Sequence, residues 1–270
     1  MTAGTSVRPR HRRLRSLSTF ALGWVGILIL AAAWQILAIL LHKAVFPTFV
    51  AAIVAAYHIV TGPALRTDIL PSVERTAVGF LISSLLGIGV GMLVGHYRAV
   101  QQWTATVIDF LRSLPTPLLV PVAIVVFGLN GKMVVATIIS AAIWPVLINT
   151  ANGTAEIEPT MMDTANVFGL RGRKLFLKVV LPAASPQIFA GLRIALSVSL
   201  AIMVVAEILG GSSGIGYYIS NAQQSFDIVG SYGGVIVLGL LGWVFDTLFL
   251  AFERRLLSWQ RGTVGGFIDG

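Results

Sequence analysis

Residues 149–186 read NTANGTAEIEPTMMDTANVFGLRGRKLFLKVVLPAASP, a polar interruption in an otherwise apolar second half of the chain. The stretch is too polar to cross a bilayer and much longer than the few residues that ordinarily join neighbouring elements. It carries two short helical patterns. Pro159 suits the first turn of a helix running to about Phe168, and Gly169 suits its stop. Past Arg171 and Gly172, the apolar Leu175, Phe176, Val179 and Val180 share one helical face, and Arg173, Lys174 and Lys178 share the other. This pattern predicts a helix resting along the inner membrane surface, cations toward the headgroups. Residues 149–185 thus read as a structured loop between two membrane spans.

Composition supports the membrane setting. Hydrophobic residues make up 56% of the 270 and charged residues 11%, with a mean hydropathy of +0.86. Soluble domains carry roughly a quarter charged residues, so this chain lacks the charge to cover a water-facing surface. The formal charge of +8 does not point to nucleic acid, because the cations fall at the edges of apolar runs and form no basic face interleaved with aromatics. The absence of cysteine excludes disulfides, thiolate metal sites and cysteine nucleophiles.

Residues 1–19 form a basic tail with Arg8, Arg10, Arg12, Arg13 and Arg15 and no acid. Arg12-Arg13 and the small residues Ala31 to Ala33 resemble an export signal. The apolar run 20–41 is longer than a signal's core of about 7–15 residues and suits a retained first span. Further spans are predicted at 73–95, 103–127, 133–148, 188–209 and 232–252, with Pro115, Pro117 and Pro121 breaking the third and a short surface helix at 49–60. The remainder, 42–260, is the core, and 261–270 a second tail. Predicted inner segments hold the tail arginines, Arg98, Arg171, Arg173, Lys174, Lys178, Arg254, Arg255 and Arg261. The outer ones hold only Lys43, Arg66 and Lys132. That asymmetry places both termini in the cytoplasm. In the second span, Gly87, Gly91 and Gly95 recur at four-residue spacing, with Gly89 among them, and predict close helix packing.

The loop then becomes specific. Asp163-Thr164-Ala165, three residues, Gly169, nine residues, Val179, one residue, Leu181-Pro182 resembles the "EAA loop" of binding-protein-dependent ABC permeases: Glu-Ala-Ala, three residues, Gly, nine residues, Ile, one residue, Leu-Pro. Asp, Thr and Val replace Glu, the first Ala and Ile. The resemblance extends over about 45–260. Leu111-Arg112-Ser113-Leu114-Pro115, Ala190-Gly191-Leu192-Arg193, Val205-Ala206-Glu207 and Ser213-Gly214-Ile215-Gly216-Tyr217 are similar to the nitrate/sulfonate/taurine branch. That branch also includes permeases for vitamin precursors.

The resemblance implies an all-α, polytopic type I ABC importer permease fold with six transmembrane helices, in a bacterial inner or plasma membrane. In the family the loop is a coupling helix docked on a separate ATPase. By position, Pro159, Met162, Asp163, Thr164, Ala165, Phe168, Gly169 and Leu170 belong to the docking element, and Leu181 and Pro182 to its return. The implied partners are an ABC ATPase dimer, a second permease copy, an extracellular or periplasmic substrate-binding protein and membrane lipid. The chain would be no enzyme and hold no cofactor of its own, with ATP and magnesium on the ATPase.

In keeping with that, 128–133 fails as a phosphate loop: residue 126 is Val where glycine is needed, and Met133 follows Lys132 where Ser or Thr should bind magnesium. The glycine-rich 210–216 reads as part of a mobile outer loop. Ionisable residues in spans are functional candidates, which singles out Glu207, Arg112, Arg193 and Asp246 for the translocation path. Glu207 could instead reach the outer interface or latch two copies, and Arg112 and Arg193, near the cytoplasmic face, read first as structural pairing or snorkelling, Arg112 with Asp109 one turn away. Glu74-Arg75 reads as structural, and Asp246 has no evident sequence partner but could meet a basic residue across the bundle. A secondary transporter would require matched broken helices in two halves; only one proline-broken span is visible.

Overall fold

The computed structural model describes residues 12–41 and 45–257, with side chains from Val25 onward. The tails at 1–11 and 258–270, the side chains of Arg12, Arg13 and Arg15, and His42 and Lys43 lie outside the described part. Every regular element within it is helical. α1 (Arg12–Leu41) and α2 (Phe49–Thr61) come first, then a π turn (Leu65–Ile69) into α3 (Leu70–His96), then α4 (Arg98–Ser113). A 3-10 turn (Thr116–Leu118) leads to α5 (Leu119–Phe127), followed by α6 (Gly131–Ala155), α7 (Pro159–Val167) and α8 (Gly172–Leu175). A second π turn (Phe176–Val180) opens α9 (Leu181–Gly210), and α10 (Ile215–Gln224) and α11 (Ile228–Leu256) complete the order.

Among the described residues four helical runs are long and apolar enough to cross a membrane: Leu65–His96, Gly131–Ala155, Gly172–Gly210 and Ile228–Leu256. A fifth requires Arg98–Ser113 and Thr116–Phe127, which bend by 76°, to act as one broken span. The described apolar part of α1, Val25–Leu41, is shorter. The six predicted places are all helical, but the third is two helices at an angle. Pro115 forces Leu114 out of the helical region, to φ −68 and ψ 123. α4 buries no residue within the chain.

The expected loop boundaries need correction. Polar Asn149, Thr150, Asn152 and Thr154 belong to the last turns of α6. Asn149 Nδ2 donates to the Pro145 carbonyl at 2.8 Å and Thr154 Oγ1 to that of Thr150 at 2.8 Å. Thr150 and Thr154 are both buried: the Thr154 hydroxyl is bonded inside the helix, while Thr150 sets its Cβ and methyl against Gly91 and its hydroxyl has no partner among the described residues. The basic amphipathic stretch is not a separate interfacial helix either. It runs without interruption into α9 as Gly172–Gly210.

Both π turns precede a Leu-Pro pair, Leu70-Pro71 and Leu181-Pro182. Proline lacks an N–H, and its ring clashes with the carbonyl four residues earlier. The chain widens instead: Leu70 N–H reaches the Leu65 carbonyl and Leu181 N–H that of Phe176, one residue farther back than in an α-helix. The helix therefore continues through each proline.

α6 is the central element, with Met133, Val134, Ile138, Ala142 and Val146 fully buried between α3 and α9. α3 reaches it through small residues at four-residue spacing, Gly79, Ser83, Gly87, Gly91 and Gly95. A Cβ on Gly87 would stand 2.7 Å from Val146 Cβ, and one on Gly91 2.6 Å from the Leu147 carbonyl oxygen. Gly89, off this face, would meet nothing within 4 Å. Backbone contact of this kind cannot yield to a side chain. Gly91→Leu is expected to cost at least the ~1–3 kcal/mol of core overpacking, whereas Gly89→Ala should be neutral or stabilising; thermal unfolding of the purified variants distinguishes them.

α1 is held at one end by Trp34. Its Nε1 donates to the Pro47 carbonyl at 3.0 Å, and its ring centroid lies 5.5 Å from that of Phe49 and 5.8 Å from that of Tyr232.

Candidate functional site

The site residues fall at opposite ends of the bundle. At one end α7 stands between the end of α6 and the start of the α8–α9 run. Pro159 occupies its first turn, and its far end closes in a Schellman motif. Gly169 N–H donates to the Asn166 carbonyl at 3.0 Å, and Leu170 N–H to that of Ala165 at 2.9 Å. Gly169 has φ +69, the left-handed conformation that the motif demands and that glycine adopts without strain. Ala165 is buried and Met162 and Leu170 half-buried, so the small residue of the motif is the one that lets α7 lie down. A cleft of about 410 Å³ separates it from Val179.

The end of α7 leaves two large apolar side chains exposed, with Phe168 at the edge of that cleft. Val167 is 86% exposed and Phe168 78%, while Asp163 and Thr164 are also exposed. Leu181 packs on Met92, Ala184 and Ile188, fixing the return to α9, and Pro182 is half-buried beside it. The structure therefore brings the ten motif residues into one short helix and its return strut.

At the other end, Glu207 is fully buried near the finish of α9. Arg75 Nη1 donates to its Oε1 at 2.8 Å, and Ser72 Oγ lies 2.9 and 2.8 Å from its two oxygens. Gly216 N–H donates to Oε2 at 3.0 Å. The same cluster caps α10 from outside: Ile215 N–H donates to Ser72 Oγ at 2.8 Å and Gly214 N–H to Asp68 Oδ1 at 3.2 Å. Arg75 also reaches the Ser213 carbonyl at 2.7 Å and Ser213 Oγ at 2.6 Å. Two carboxylates thus face the positive end of α10 and satisfy N–H groups that a helix start leaves open.

This corrects the reading of 210–216 as a mobile loop. Gly214, with φ +115, has the Glu207 carboxylate where its Cβ would be, and a Cβ on Gly216 would stand 2.8 Å from Glu207 Cβ. The glycines make room for an acid. α10 then carries Tyr218, whose phenol is pushed up by burial and by the nearby carboxylates of Asp227 and Asp68. Ser72 and Asp68 drew no attention in the sequence. The available signal was a glycine cluster following a lone acid in an apolar run.

α10 ends in a second Schellman motif, with Phe226 N–H to the Gln223 carbonyl at 3.1 Å and Asp227 N–H to that of Ala222 at 2.8 Å. Phe226 occupies the position of Gly169, at φ +58, while 86% exposed. A left-handed L-residue costs about 1–2 kcal/mol, partly offset by the entropy of a glycine. Phe226→Gly is expected to raise stability by about 0.5–1 kcal/mol, read as an increase in the thermal midpoint.

The other charged candidates lie apart. Arg112 Nε pairs with Asp109 Oδ1 at 2.8 Å on the exposed surface of α4. Arg193 on α9 meets Asp246 on α11 at 3.6 Å, both about half exposed, so Asp246 has a partner across the bundle. Neither pair touches Glu207.

Residues 83–258 match the model of the family described as binding-protein-dependent transport system inner membrane component. An aliphatic sulfonates transport permease protein, SsuC, of Bacillus subtilis (strain 168) is 30% identical over 90% of both chains. A bicarbonate transport system permease protein, CmpB, of Synechococcus elongatus is 37% identical over 70% of this chain and 68% of its own. A nitrate import permease protein, NrtB, of Leptolyngbya laminosa is 34% identical over 73% and 71%. The structure of an inward-facing MetNI methionine ABC transporter superposes with a TM-score of 0.63 at 15% identity, over 71% of this chain and 95% of that one, a likeness of fold.

Proposed function

The chain belongs to the family of binding-protein-dependent transport system inner membrane components, and on that premise we propose that it is the membrane permease of an ATP-driven importer for a small anion. Sulfonate, nitrate and bicarbonate are the cargoes in the names of its relatives. All three are compact and anionic at neutral pH, which favours that class over a vitamin precursor.

The observation that carries the coupling role is α7, a short rigid helix on two helical struts that exposes Val167 and Phe168 to water. Exposed apolar anchors beside exposed polar groups are what a docking face presents. In this reading α7 seats on a separate ATPase, which binds ATP and magnesium. Two copies of this chain form the bundle, with the path between them, and an external binding protein delivers the anion at the α10 end. In this reading the membrane is a bacterial inner membrane and the α7 end and both termini face the cytoplasm, an orientation that the cations of the α7 end support.

The cluster around Glu207 acts as a clamp that fixes α10 to α3 and α9. Its carboxylate is satisfied within the chain and is not a contact for an anion. Arg193 and Asp246, half exposed within the spans, are the better candidates for the path or the contact between copies, since the bilayer itself disfavours exposed charge. Arg112 belongs with them as a path candidate on the unburied helix α4.

The test is reconstitution into proteoliposomes with the ATPase and binding protein. Uptake of labelled sulfonate, nitrate or bicarbonate that needs all three proteins and ATP is the expected result. Uptake driven by an ion gradient without the ATPase would refute the reading.

A further inference from the structure

At the α7 end, a cleft of about 540 Å³ opens between the last turns of α3 and the run from α8 through the second π turn. Its walls are apolar, formed chiefly by Met92, Leu93, Leu175, Phe176 and Val180, with Gly89 as part of the floor. The π turn makes this wall. Leu175 and Val180 are five residues apart, and the widened turn, with more than four residues per revolution, brings them closer together on the same wall.

Cations adjoin the lining residues along the chain. His96 and Tyr97 line the cleft and exposed Arg98 follows directly; Gly172 lines it and exposed Arg173 and Lys174 follow in the same turn, with Lys178 one turn on. None of these Lys and Arg side chains has an ion-pair partner among the described residues. A second copy brought face to face here would oppose the same cations, and the basic segment 1–19 carries the same sign. An apolar slot with unpaired cations on the turns that form its walls complements a molecule with an apolar chain and an anionic head, the long Arg and Lys side chains reaching back toward the opening.

We infer that this cleft is a binding site for one anionic phospholipid of the cytoplasmic leaflet, its acyl chain against Met92, Phe176 and Val180 and its phosphate at Arg173 and Lys174. The placement in that leaflet rests on the orientation proposed above. The lipid would wedge between α3 and the strut that carries α7, so that headgroup charge bears on the coupling helix.

The experiment uses the purified full-length permease in detergent, titrated with dioleoyl phosphatidylglycerol or dioleoyl phosphatidylcholine, with bound lipid counted by native mass spectrometry. One tightly held phosphatidylglycerol per chain is expected, with phosphatidylcholine held far more weakly. A basic side chain near an anionic surface is worth about fivefold in binding, so Arg173→Gln with Lys174→Gln should weaken phosphatidylglycerol about thirtyfold and leave phosphatidylcholine unchanged. Gly89→Phe fills the floor, where a Cβ meets nothing within 4 Å, and should abolish the tight site without lowering the thermal midpoint in phosphatidylcholine. Equal retention of both lipids, or undiminished phosphatidylglycerol on both variants, overturns the assignment. The readout involves neither ATPase nor ATP, so its failure and a failure of the transport assay are independent results.

Discussion

Glu207→Ala is expected to destabilise the chain by about 3–5 kcal/mol, the usual cost of leaving the other half of a buried ion pair unpartnered. Arg75 would keep its charge but lose the carboxylate 2.8 Å away, and Ser72 Oγ and Gly216 N–H would lose their acceptor. Arg75→Ala alone should cost a similar amount, because it strands a carboxylate with no exposed surface. The double replacement Arg75→Met with Glu207→Leu should recover most of the loss, since apolar residues of similar volume often replace a buried pair without penalty. The recovery will be incomplete, because one backbone N–H of α10 remains unsatisfied, a deficit of about 1–3 kcal/mol. Thermal unfolding of the three variants in detergent measures all of this. Additive losses in the double variant would mean that the pair is not coupled and that the clamp is misassigned.

The largest functional effect is expected at Phe168→Asp. With 78% of the residue exposed, the change should alter the stability of the chain by no more than about 0.5 kcal/mol. A central aromatic anchor in an interface is typically worth 2 kcal/mol or more, which corresponds to assembly with the ATPase weakened about thirtyfold or more. Substrate-stimulated ATP hydrolysis in proteoliposomes should fall accordingly, while the permease still folds and inserts. Val167→Asp should behave alike. Normal co-purification with the ATPase and undiminished ATP hydrolysis would remove α7 from the coupling role. The contrast between the variants is diagnostic: Glu207→Ala disturbs folding first, Phe168→Asp only assembly.

Much of this was visible in the sequence because it depends on neighbours along the chain. Low charge, long apolar runs and the distribution of Lys and Arg identify a membrane protein, and Pro159 and Gly169 bracket α7 to within a residue. Other local readings failed because polar side chains were taken to mark a loop. Thr154 spends its hydroxyl within its own helix, and Thr150 and Thr154 set their Cβ atoms against Gly91 and Gly95 of α3, so α6 carries on to Ala155. The basic stretch read as a separate surface helix instead runs on into α9, because the second π turn absorbs Pro182.

What the sequence determined by itself is therefore the solvent, the helices and the polar stretch 149–186, whose motif needs only spacing. Within that stretch only packing decided which part protrudes. Residues 149–155 extend α6, 172–186 merge into α9, and α7 alone remains as the knob. The partner of Glu207 was likewise undecidable from the chain, since Arg75 lies 132 residues away. Periodicity reports on one helix at a time, whereas an ion pair forms only where two helices already fixed by their packing bring opposite charges within reach.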